Sequence, residues 1–179
     1  MALVVSDSPR VSGWRPRKRL WALLGIAVIG YGAWQALHGW RERHAVLINL
    51  TDSLPNWAFL IHRTKVPARG DYIFFDPPAN ALVRRHFGNP TPLFGKIVYG
   101  MPGDVISHDG TDVRINGRPV AHRKARTRLG ERLTPGPTGV IPNSCYYVGT
   151  PHKDGFDSRY GEIGLVCARQ IFGAGVPVL

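Results

Sequence analysis

Phe94-Gly95-Lys96-Ile97-Val98-Tyr99-Gly100-Met101-Pro102-Gly103-Asp104 sets one lysine inside an apolar run and ends that run in a Pro-Gly turn. Leu93 to Tyr99 reads as a β-strand, and Lys96 has Phe94, Ile97 and Val98 close by. A lysine directed into such surroundings loses hydration, and its pKa falls. At its ordinary value of about 10.4 it is a charged bystander; lowered by a few units it becomes a general base. It can then take the proton of a serine, which makes a nucleophile without a histidine. Most lysines are solvated surface groups, so the motif needs a partner before it carries chemistry.

The flanking sequence has the same β character. Trp57 to His62 is an apolar run, Val66 to Asp71 a turn, and Tyr72 to Phe75 a strand stopped by Asp76-Pro77-Pro78. Val105-Ile106 and Val113-Arg114-Ile115 follow, the latter running into Asn116-Gly117, a strong hairpin signal. Cys145 to Val148, Ile163 to Val166 and Gln170 to Phe172 read as further strands, with a polar loop at 151–161. Ala45 to Ile48 reads as an early strand and Ala79 to Phe87 as one short helix. Residues 121–139 are basic, then rich in Gly and Pro, and look like an excursion from the core. The expectation is a mostly β domain with no internal repeat.

The partner lies upstream, in Thr51-Asp52-Ser53-Leu54-Pro55. An isolated serine there reads as a turn or helix cap. Its position after an unusual N-terminus adds weight. Leu20 to Leu37 is 18 residues without a charged side chain, near the lower limit for a membrane span. Trp14, Trp21, Trp34 and Trp40 gather towards its ends, as in an aromatic belt. A cleaved signal peptide is the competing reading, but Gln35-Ala36-Leu37-His38-Gly39-Trp40 is a poor cleavage site. The first 19 residues carry five basic groups against Asp7, so this end is expected in the cytoplasm. The expected layout is a basic tail over 1–19, an anchor over 20–37 and an extracytoplasmic domain over 41–179. An extended linker from the anchor reaches only about 40 Å, which keeps Ser53 near the membrane surface.

The formal charge of +11 suits anionic lipid, acidic partners or nucleic acid, and charge alone does not choose among them. No nucleic-acid module is visible, and none is expected as a partner. The dense run Ala121 to Arg128 fits a solvated loop better than a lipid-headgroup contact. Leu54, Trp57 and Phe59 read equally as an apolar rim and as core. Seven histidines are scattered without a His-Glu-x-x-His pattern, so neither a metal nor another cofactor is expected. His152 with Asp157 is the weaker, Ser-His-Asp alternative. Cys145 and Cys167 fit either a disulfide in an exported domain or two buried thiols.

Taken in order, Ser53-Leu54-Pro55, Arg69-Gly70-Asp71, Lys96 to Asp104, Asn116-Gly117 and Phe156-Asp157-Ser158-Arg159-Tyr160-Gly161 resemble the type I signal peptidases. The short form is most similar to the conjugal-transfer, pilin-maturing peptidases of the TraF type. The resemblance implies a membrane-anchored serine endopeptidase in a bacterial inner membrane, facing the periplasm and acting on a pilin or other exported precursor, with a conjugation or secretion apparatus nearby. It implies Ser53 as nucleophile, Lys96 as base, Thr51 with the Ser53 N–H as oxyanion hole, and Asp157, Ser158 and Arg159 as support. Ile97 and Gly155 depart from the pattern, since the larger enzymes have an arginine and a lysine-orienting serine there. Ser158 or a backbone carbonyl is then expected to hold Lys96. Two other classes remain: a silent membrane-tethered assembly factor, and a self-cleaving Ser-Lys regulator, which the anchor disfavours.

Overall fold

A computed structural model describes residues 16–49 and 54–178. Thr51 and Ser53 therefore lie outside the described residues, as does most of the 1–19 tail. The chain divides after Arg41 into two units.

The first unit is dominated by helix α1 (Pro16–Arg43). Pro16 occupies the first helical position, where its missing N–H costs nothing. The helix runs past Leu20 to Leu37 at both ends, because no further proline interrupts the basic flanks. It is apolar on all sides and long enough, by length and composition, to cross a membrane.

The second unit is built almost wholly of antiparallel strands. β1 (His44–Ile48), β2 (Ala58–His62), β3 (Tyr72–Phe75) and β4 (Phe94–Gly100) precede a hairpin series. That series is β5 (Val105–Asp109), β6 (Asp112–Ile115), β7 (Arg118–His122) and β8 (Gly139–Val140). β9 (Cys145–Gly149), β10 (Val166–Cys167) and β11 (Ile171–Pro177) complete the set. The larger sheet has seven strands in the order β1-β2-β11-β3-β4-β9-β10, and the smaller has four in the order β7-β6-β5-β8. The mostly β expectation holds. Phe59, Ile61 and Phe74 form one buried cluster, Ile73, Phe75 and Val98 belong to a second, and Ile106, Val113 and Tyr147 to a third between the hairpins and β9.

Asn116-Gly117 forms the β6–β7 turn with φ of 50° and 77°. Those positive values are what a tight hairpin with right-handed strand twist requires. α2 (Ala81–Phe87) is shorter than the sequence suggests, because Asn80 caps it by accepting from Val83 N at 2.9 Å. Ile163 to Leu165 is not a strand. It is a turn, closed by Ile163 N and Gly164 N donating to Tyr160 O, and only Val166-Cys167 pairs with β9. Cys145 and Cys167 sit opposite one another in that pairing and form a disulfide, so the thiol reading falls.

Candidate active site

Lys96 is directed inward by the alternation of β4. Along Phe94–Gly100 every second residue is buried, and Lys96 shares that phase with Phe94 and Val98. β3 and β9 flank β4 on either side, so the lysine stands in the sheet interior with 5% of its surface exposed. Burial pushes its pKa down; Asp157 pulls it back up, and Arg159 lowers it again. The unfolded chain therefore binds the extra proton between the lowered value and the ordinary one of 10.5. Across that window stability rises with pH, because protonation favours the unfolded chain. Lys96→Met keeps the length and removes the charge. It is expected to be more stable than the parent at neutral pH and to lose that pH dependence, as read from denaturant midpoints from neutral to alkaline pH.

Asp157 and Arg159 lie in the loop after β9 and are almost fully buried. Arg159 Nε donates to Asp157 Oδ1 at 2.8 Å and Nη2 to Oδ2 at 2.9 Å, a two-pronged pair. Burial pushes the Asp157 carboxyl up, against the pull of the guanidinium and its donors. Ser158 Oγ takes the Val148 N–H at 3.0 Å, while Ser158 N donates to Val148 O. His152 makes no triad with Asp157. Its Nδ1 accepts from Asp154 N, and the Asp157 carboxylate is occupied by Arg159 and the Thr150 N–H.

Lys96 opens onto a groove of about 940 Å³. Phe74, Phe94 and Gly95 lie along it, with Leu82 and Phe87 from α2 on one side and Gly155 and Phe156 on another. The excursion after β7 forms a further wall through Lys124, Arg126, Leu129 and Leu133, a role its basic sequence did not disclose. It folds on itself through Thr127 N to Glu131 O and Leu133 N to Ala125 O. Glu131 ties it to Arg85 and His86 of α2, and Asp154 ties it to the loop after β9 through Lys124 and Arg128.

The chain on either side of residues 50–53 is well fixed. Asn49 N donates to Trp57 O at 2.7 Å, and Asn49 Nδ2 donates to Leu54 O at 3.2 Å and Asn56 O at 3.1 Å. Leu54 is buried against the backbone of Gly95, where a Cβ would lie 3.1 Å from Leu54 Cδ1. The neighbour of Ser53 thus packs on the neighbour of Lys96. Phe59 is core as well, while Trp57 stays 55% exposed.

The turn after β4 is held by Asp104. Its Oδ2 accepts from Met101 N and Arg69 Nη2, each at 2.6 Å, and its Oδ1 accepts from Asn116 Nδ2 at 2.7 Å. Burial raises the Asp104 pKa, but these donors outweigh it and keep the carboxyl below its usual range. The turn is thereby fastened to the β6–β7 hairpin.

The family model described as signal peptidase, peptidase S26, matches residues 18–179. A crystal structure of a signal peptidase I from Enterococcus faecalis V583 is similar at 24% identity and a TM-score of 0.38. That match covers 62% of this chain and 97% of the other. No curated protein matches.

Proposed function

Because the chain belongs to the signal peptidase family, peptidase S26, whose members are serine endopeptidases, we propose that it cleaves exported precursors with a Ser53–Lys96 dyad. The observation that carries the reading is Lys96: a buried lysine with a depressed pKa, facing a groove large enough for a peptide. The packing of Leu54 on Gly95 supports the pairing with Ser53.

Ser53 Oγ attacks the carbonyl of a peptide bond that follows small residues, and Lys96 Nζ takes the hydroxyl proton. Thr51 and the Ser53 N–H receive the charge that develops on the carbonyl oxygen. The intermediate collapses as Lys96 returns the proton to the leaving amine, and the acyl group stays on Ser53 as an ester. Water, giving one proton to Lys96, attacks the ester, and Lys96 passes that proton to Ser53 Oγ as the acid leaves. An amine in place of water forms a new peptide bond instead.

The helix over Leu20 to Leu37, with its basic N-terminal flank, supports a single-pass anchor whose tail is cytoplasmic and whose domain from about residue 41 is periplasmic. Within the family we favour the pilin-maturing, conjugal-transfer type, on the motif order of the sequence. A conjugation or secretion apparatus is then the setting, and cyclisation of the substrate the alternative to simple hydrolysis. Intact-mass measurement of a processed pilin precursor separates the two, because the cyclic product lacks one water. Leader loss with a linear product is the outcome that removes the cyclising role. No leader loss from any exported precursor removes the peptidase role.

A further inference from the structure

Two hydrogen bonds of the Asp157–Arg159 pair converge on one residue, while Arg159 Nη1 donates to His122 O at 3.3 Å. Asp157 Oδ2 accepts from Thr150 N at 3.1 Å, and Arg159 Nη2 donates to Thr150 O at 2.9 Å. The backbone of Thr150 is therefore gripped on both sides by a buried ion pair, and the residue is 1% exposed. Thr150 directly follows β9, whose register against β4 sets Ile97 opposite Gly149 and Val98 opposite Val148. Continued by one residue, that register sets Lys96 opposite Thr150. Directly opposed residues of an antiparallel pair share a face, with Cβ atoms about 5 Å apart. Gly155 gives a second bearing. A Cβ there would lie 2.1 Å from Thr150 Cγ2, so the threonine methyl fills the space at Gly155, and Gly155 lines the same groove as Lys96.

We propose that Thr150 is the positioning residue for Lys96: its hydroxyl oxygen accepts one N–H of the amine and so aims the amine's lone pair at Ser53 Oγ. The inference rests on the Ser53–Lys96 reading above. A hydroxyl oxygen has two lone pairs. It can hold the His152 N–H, which it accepts at 3.2 Å, together with one hydrogen of Lys96. Among the described residues the charged groups acting on Lys96 are Asp157 and Arg159, both from the loop after β9; β3 offers the apolar Ile73 opposite it, and the Phe94 ring lies 5.8 Å from Nζ. The buried pair thus acts on the base at one remove, by fixing the backbone that carries the hydroxyl.

The test uses the full chain in detergent micelles and a quenched fluorescent peptide with Ala-Xaa-Ala before the scissile bond. Thr150→Val is isosteric and keeps the methyl against Gly155. It is expected to lower kcat about 100-fold, the loss that misplacing a reacting group produces. KM should change less than about twofold, because no substrate contact is removed. Thr150→Ser should recover most of kcat. The acid limb of kcat/KM should move to lower pH in Thr150→Val, because a lost acceptor no longer favours the ammonium. A packing defect that admits water would move it to higher pH. Parental kcat in Thr150→Val, equal damage in Thr150→Ser, or an upward-moving limb each overturns the proposal. Should Thr150→Val not fold, Thr150→Ala takes its place in the comparison with Thr150→Ser. Ser53→Ala run in parallel keeps the premise separate: turnover surviving there overturns the dyad itself, whatever the Thr150 variants do.

Discussion

Ser53→Ala and Lys96→Ala are each expected to abolish turnover, with kcat falling by roughly 10⁴ or more, the scale seen when one member of a nucleophile–base unit is removed. The two residues depend on each other. A serine hydroxyl is a weak nucleophile until its proton has somewhere to go, and a lysine amine beside the groove has no chemistry without an attacking oxygen. The double substitution should therefore be hardly worse than either single one, because the residues act as a unit. Steady-state cleavage of the fluorescent peptide measures all three. Additive losses would mean that Ser53 and Lys96 serve separate steps. Lys96→Arg should not rescue. Its guanidinium stays protonated at any workable pH, so it cannot accept the serine proton.

Asp157→Ala is expected to cost about 3–5 kcal/mol, the range for stranding one charge of a buried pair. Arg159 is 2% exposed, and its Nε and Nη2 both point at the missing carboxylate. Thr150 N loses its acceptor at the same time. Asp157→Asn keeps an acceptor and should lose less. Removing both charges, as in Asp157→Leu with Arg159→Met, should cost less than Asp157→Ala, because no buried ion is then left alone. Denaturant midpoints of the variants give the order. Equal stability of Asp157→Ala and the parent would show that the pair is not what closes this loop.

Local rules made the strand bearing Lys96 readable, because an apolar run with period-two burial can be inferred from its own residues. Asn116-Gly117 was readable for the same reason, as a turn whose φ values follow from residue type. What was not local was not legible. Residues 173–177 extend β11, yet Gly173-Ala174-Gly175-Val176-Pro177 looks like a loop. The glycines are there for close approach: a Cβ on Gly175 would lie 2.6 Å from Phe74 Cε2. The disulfide stayed open in the sequence because it depends on β9 and β10 pairing in register. The excursion 121–139 was readable as a charged loop, while its place along the groove depends on Glu131 and Asp154, which recruit bases from α2 and from the excursion itself. Thr150 escaped for a related reason. Nothing near it in sequence marks it out, and only the register of β4 against β9, continued past Gly149, sets it opposite Lys96.

The strand order gives Lys96 a firm mounting. It belongs to β4, hydrogen-bonded on both flanks in the sheet interior, whereas β1 stands at the sheet's edge. An edge strand can fray without disturbing the interior, while an interior strand opens only when much of the sheet does. Thermal agitation therefore reaches β1 long before the strand that carries Lys96. In the proposed reaction the proton acceptor is mounted where the sheet opens last.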